Sequence, residues 1–134
     1  MYSKILVPLS LEHGLASRAL EAARYLKSEN GEIIALHVYE PLSDSVRSYV
    51  SREDVTNALN EARRNLAERI GSATDVKPVL LEGHSGRAIT DYAGQIGVDC
   101  IVLGSHKPGL RDHFLGSTAS RVVRHAPCSV HVLR

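Results

Sequence analysis

The run Cys100-Ile101-Val102-Leu103, followed by Gly104-Ser105-His106-Lys107-Pro108-Gly109, decides the fold. An apolar run with no polar alternation reads as a strand buried on both faces, the mark of a parallel sheet between helices. Gly104 then opens a loop containing glycine and proline. Gly116-Ser117-Thr118 is the start of a helix running to His125. Arg121, Arg124 and His125 fall in its last turns, where cations suit the helix dipole. Ser129 to Leu133 then reads as a final strand.

The same alternation extends back to the N-terminus. Ile5-Leu6-Val7-Pro8 is a first buried strand, stopped by proline. Leu15, Ala19, Ala22, Ala23 and Leu26 follow helical spacing, and Gly31 supplies a stop. Ile33 to Val38 is a second strand, and the polar stretch Leu42 to Ser51 reads as a mobile surface loop. Val55, Ala58, Leu59, Ala62, Leu66 and Ile70 mark a second helix. A third strand spans Val76 to Leu81, and a third helix carries Ala88, Ile89, Tyr92, Ala93 and Ile96. Five strands alternating with four helices imply a parallel α/β sheet covered on both faces, with right-handed crossovers. Ligands of such sheets sit beyond the strand ends where the winding reverses. That rule points to the loops after the first and fourth strands, beginning at Pro8 and Gly104.

The 134 residues suit one domain, residues 1–134. Apolar residues at 43% and charged residues at 23% fit a chain with a real core. Sixteen basic residues against 15 acids leave a net charge of +1, which gives no electrostatic reason to expect nucleic acid or an anionic membrane. No tryptophan and a single phenylalanine argue against a base-stacking platform. Cys100 and Cys128 lie in apolar runs without a C-x-x-C pattern and read as buried thiols of a reducing compartment. The short N-terminal apolar run does not resemble a signal peptide, and the expected location is cytoplasmic.

Gly104 and Gly116-Ser117-Thr118 carry the strongest chemical signal. A glycine directly after a strand lets backbone approach a ligand, and a helix start offers N–H groups, hydroxyls and a positive dipole end to an anion. The plain structural explanation is a strand end, a turn at Gly109 and a cap at Ser117. This is not a P-loop, since Leu110-Arg111 stands where Lys-Ser/Thr is required. Gly83-His84-Ser85-Gly86-Arg87 lacks the last glycine of a nucleophile elbow, and Ser85 reads as a helix N-cap. Seven histidines show neither metal-ligand spacing nor accompanying carboxylates, although His106 lies in the candidate phosphate loop. No residue stands out as a catalytic acid, base or nucleophile.

Several blocks together resemble the universal stress protein family. They are Lys4 to Pro8, Leu36-His37-Val38, Asp99 to His106, and Gly116-Ser117-Thr118 through His125-Ala126-Pro127-Cys128-Ser129-Val130. The loop from His106-Lys107-Pro108 to Phe114-Leu115-Gly116-Ser117 is most similar to the branch containing the bacterial stress proteins F and G. The resemblance implies a three-layer α/β sandwich of the adenine nucleotide alpha-hydrolase-like kind, with a five-stranded parallel sheet in the order 3-2-1-4-5. It also implies a homodimer or higher homo-oligomer, here through strand 129–133.

Many members of the family bind ATP through a loop of pattern G-x2-G-x9-G-[ST]. On that resemblance Gly104 takes the first position and Gly116-Ser117 the last pair. Lys107 stands at the second glycine, and the intervening segment is one residue short. On that resemblance Gly104, Gly116, Ser117 and Thr118 would hold the phosphates, and Pro8, Leu9, Ser10 and Val38 would border the adenosine. Ser105, His106 and Lys107 join the phosphate side by their place in the loop, and Gly83, a loop glycine after strand three, is expected to border the ribose. The family's nucleotide binders usually carry Pro-x-Asp after strand one, whereas Pro8-Leu9-Ser10 ends in a group without charge. Weaker binding or a different nucleotide preference is the expected consequence. The first expectation is a regulatory ATP-binding stress-response protein, with Mg²⁺ as a companion the sequence leaves open. An interaction module that binds no nucleotide and a slow ATPase are the alternatives.

Overall fold

The computed structural model describes residues 1–10, 16–105 and 115–134. The elements run β1 (Tyr2–Pro8), α1 (Ala16–Leu26), β2 (Lys27–Tyr39), α2 (Asp44–Arg47), α3 (Arg52–Ile70), β3 (Val76–Glu82), α4 (Ser85–Ile96), β4 (Cys100–Gly104), α5 (Ser117–His125) and β5 (Ser129–Leu133). All strand pairs are parallel, and the sheet order is β3-β2-β1-β4-β5.

The central strand shows why its sequence is uninterruptedly apolar. Ile5, Leu6 and Val7 are each fully buried, yet they face opposite ways. Ile5 and Val7 join Ala19, Leu20, Ala23 and Leu66 of α1 and α3. Leu6 joins Ile89, Ala93, Ala119 and Val122 of α4 and α5. Alternate residues of β2 and β4 divide between the same two clusters. The period-two side-chain alternation therefore feeds two cores, one on each face of the sheet. Asp99 ties the start of β1 to that of β4 by accepting hydrogen bonds from the Ser3 and Lys4 amides.

Three local expectations change. Gly31 does not stop α1, because the helix ends at Leu26 and Gly31 lies within β2. The register jumps from Tyr2–Lys27 to Lys4–Glu32, so extra residues of β2 bulge out beside Tyr2. A Cβ on Gly31 would lie 2.8 Å from the Tyr2 carbonyl oxygen and 2.7 Å from Lys27 Cγ. Close approach explains this glycine. The Leu42 to Ser51 stretch contains the short helix α2, giving five helices rather than four among the described residues. Its apolar side chains remain unburied, which hid the turn from a periodicity argument.

The third change concerns Ser85. The N-cap of α4 is His84, whose side chain makes no capping bond, and Ser85 is the first helical residue. A carboxylate from another strand supplies the missing acceptor, as described below. At the far end of α4, Gly97 adopts the left-handed conformation (φ 72°) and donates its N–H to Ala93, a glycine-dependent stop.

Candidate functional site

A cavity of about 760 Å³ opens where β1 and β4 end. Pro8, Leu9 and Ser10 after β1, Val38 of β2, Gly104 and Ser105 after β4, and Gly116, Ser117 and Thr118 at the start of α5 all line it. Gly83 is not among the lining residues. Its φ of 148° and its N–H donation to Tyr39 fit a turn between β3 and α4. His106 and Lys107 lie outside the described residues.

The wall beneath the β4–α5 loop is built by backbone pairing. Ser105 N–H donates to the Leu133 carbonyl at 2.8 Å, and Gly116 N–H donates to the Ser105 carbonyl at 2.7 Å. The two glycine-bearing elements are thereby drawn together. The Gly116 amide is consequently committed to the fold, contrary to its expected role as a free donor. The donors that remain are those of Ser117, Thr118 and Ala119. They begin α5, and no side chain caps the helix there. All three residues line the cavity. Helix-start N–H groups beside two hydroxyls form a site suited to anionic oxygens.

The β1–β2 wall is apolar with specific backbone groups. Leu9 N–H donates to the Leu36 carbonyl at 2.7 Å, and His37 Nδ1 lies 3.1 Å from the Leu9 carbonyl oxygen. A carbonyl only accepts, so Nδ1 carries the proton in this contact. Leu9 therefore has little backbone capacity left for a ligand. Val38 differs. Leu36 turns its carbonyl towards Leu9, and two residues further on Val38 directs its N–H and C=O to the same side. The β1–β2 pairing ends at Pro8–Leu36, so β1 provides no ladder partner there. These groups border the cavity.

Sequence reasoning missed the third wall, made by Glu40, Glu61, Asn65 and Ser85. Glu40 follows β2, and its Oε1 accepts hydrogen bonds from Ser85 N–H at 3.1 Å and Ser85 Oγ at 2.7 Å. The first N–H of α4 is thus satisfied from outside the helix. The Ser85 hydroxyl, then the Ser85 N–H, hold the Glu40 carboxyl below the ordinary glutamate value, assisted by nearby His84. The winding-reversal rule draws attention to β1 and β4, whereas Glu40 extends from β2. The one available signal was its place directly after a buried strand and before Pro41.

Among the described residues, no group of three or more His, Cys, Asp or Glu could hold a metal ion. Among the same residues, no helix is long and apolar enough to cross a membrane. Cys100 and Cys128 are free thiols. They lie on opposite faces of the sheet, Cys100 within one core cluster and Cys128 packed against the other. Burial pushes the Cys100 thiol up to about 11, with smaller contributions from Cys128 and Asp99.

A doubly wound parallel sheet with a cavity at its winding reversal places the protein in the class of α/β proteins that take ligands beyond the carboxyl ends of their strands. The whole chain, residues 1–134, matches the model of the Universal stress protein family, and the protein belongs to that family. It is 33% identical over 144 residues to Universal stress protein G of Salmonella typhimurium, covering 100% of both chains. Universal stress protein UspA from Lactobacillus plantarum has the same fold, with a TM-score of 0.72 and 29% identity over 99% of this chain and 98% of that one. The universal stress protein from Archaeoglobus fulgidus solved in complex with dAMP shares the fold at a TM-score of 0.65. It is 21% identical and matched over 99% of this chain and 98% of its own.

Proposed function

We propose that this protein binds an adenine nucleotide, ATP in the first instance, as a regulatory ligand in the cytoplasm, and that it works as a homodimer joined through β5. The observation that carries the reading is the meeting of two kinds of wall in one cavity. Helix-start donors at Ser117, Thr118 and Ala119, without a partner among the described residues, suit phosphate oxygens. The Leu9, Ser10 and Val38 side offers an apolar surface with outward backbone groups for a flat heterocycle. The Archaeoglobus fulgidus relative was solved with dAMP, which supports the same chemistry here.

Pro8, Leu9, Ser10 and Val38 border the adenosine. Gly104, Ser105, Gly116, Ser117 and Thr118 shape the phosphate side, with His106 and Lys107 as candidates on the loop between them. Turnover is at most slow, since the sequence carries no motif of a catalytic acid, base or nucleophile.

Calorimetric titration with ATP tests the reading. Binding should be seen for the natural chain and abolished in Gly116→Val, which adds a branched side chain at a cavity-lining position. Absence of heat with the natural chain, together with purification free of nucleotide, would refute it. Pull-downs recovering the same partners with and without ATP would then favour an interaction module.

A further inference from the structure

We propose that Glu40 is a specificity-determining residue that selects ligands presenting a hydrogen-bond donor at the end remote from the phosphates. This rests on the nucleotide reading above and extends it to a side chain that neither the sequence motifs nor the resemblance singles out.

Three observations carry it. Glu40 lines the same cavity as the α5 donors. Its carboxylate is fixed rather than free, because Oε1 holds both Ser85 N–H and Ser85 Oγ. No hydrogen bond to Oε2 occurs among the described residues, so one acceptor oxygen remains available on an immobilised group. An ionised carboxylate only accepts hydrogen bonds. It therefore repels phosphate and welcomes an amino or hydroxyl group.

The sheet order sets the geometry. Glu40 follows β2, and Gly104 ends β4, with β1 between them. Two strand spacings separate these positions by about 10 Å across the sheet. The cavity is thus polarised, with donors for anions at the α5 side and an acceptor beyond β2. A nucleotide fits it in one orientation, phosphates towards Ser117 and Thr118, nucleoside towards Glu40. Either the exocyclic amine of the base or a sugar hydroxyl supplies the donor.

Titration with four triphosphates separates these sources: ATP, ITP (amine replaced by carbonyl), 2′-deoxy-ATP and 3′-deoxy-ATP. The natural chain should lose about tenfold or more in affinity on one of the three deletions, as expected for a hydrogen bond to a charged group. In Glu40→Ala that loss should largely vanish, while the ratios among the other three ligands stay as in the natural chain. Glu40→Gln, which keeps a neutral acceptor, should retain part of the preference. A merely structural role for Glu40 would weaken all four ligands together and leave their ratios unchanged, and that result overturns the assignment. Equal binding of all four by the natural chain does so too. If the natural chain binds none of them, the nucleotide reading itself fails and the role of Glu40 falls with it. If ATP binds but the ratios ignore Glu40, only the assignment of Glu40 fails.

Discussion

Ser85 shows how one residue serves the fold and the site together. Its hydroxyl and amide both donate to Glu40, fixing the start of α4 against the end of β2. The bonds favour the charged carboxylate, so the Glu40 pKa in the folded chain lies below its unfolded value. The sign of the linkage follows. The stabilisation is present above the unfolded pKa and is lost as pH falls through the depressed folded one. Glu40 is largely exposed, which keeps the energetic effect small. Its titration is the sharper readout. In a carboxyl NMR titration Glu40 should protonate below an ordinary glutamate, and in Ser85→Ala its midpoint should move up. The residue 85 N–H and His84 stay in place in that variant, so a residual depression is expected. An unmoved midpoint would show that the serine hydroxyl does not govern the carboxylate.

The packing of helix α4 illustrates what the elements demand of their sequences. Gly86 is buried where α4 meets α5, and a Cβ there would lie 2.6 Å from Arg121 Cδ and 3.1 Å from Arg121 Cβ. Gly94 is exposed, and its only near neighbour would be Pro127 Cγ at 3.9 Å, an ordinary contact. The two glycines should therefore respond oppositely. Gly94→Ala removes backbone freedom from the unfolded chain and should stabilise by ~0.5–1 kcal/mol. Gly86→Val should cost ~1–3 kcal/mol by overpacking. Denaturant melts of both variants check this, and destabilisation by Gly94→Ala would contradict the open space assigned to it.

Helical glycines such as these look alike in the sequence, and only the crossing of α4 with α5 tells them apart. The same limit explains what could be read along the chain. Ile5-Leu6-Val7 and Cys100-Ile101-Val102-Leu103 announced a two-faced parallel sheet, because burial on both sides leaves no room for polar alternation. The bulge around Gly31 was hidden, since its cause is the Tyr2 carbonyl on the neighbouring strand, distant in sequence. The cavity walls from β1, β4 and α5 followed from topology. Glu40 and the loss of the Gly116 amide did not, for both depend on tertiary hydrogen bonds.

The two edges of the sheet are protected unequally, and this bears on assembly. Edge strand β3 carries Lys77, Pro78 and Glu82, residues that discourage pairing with another chain. Edge strand β5, Ser-Val-His-Val-Leu, carries no proline, lysine or acid. An edge of that composition is one that a partner strand can cover, which fits the homodimer proposed there on the family resemblance. The backbone direction on β5 makes the test selective. Ser105 N–H donates to the Leu133 carbonyl, so Leu133 faces inwards along the line of β4. By the strand's period of two, His131 faces the same way, while Val130 and Val132 turn their N–H groups to the open edge. Val132→Pro therefore removes an outward donor and leaves the β4–β5 ladder intact. Sedimentation should show a dimer for the natural chain and a monomer, still cooperatively folded, for Val132→Pro. A dimer undiminished by the proline would place the interface elsewhere, and a monomeric natural chain would remove β5 pairing from the proposal altogether.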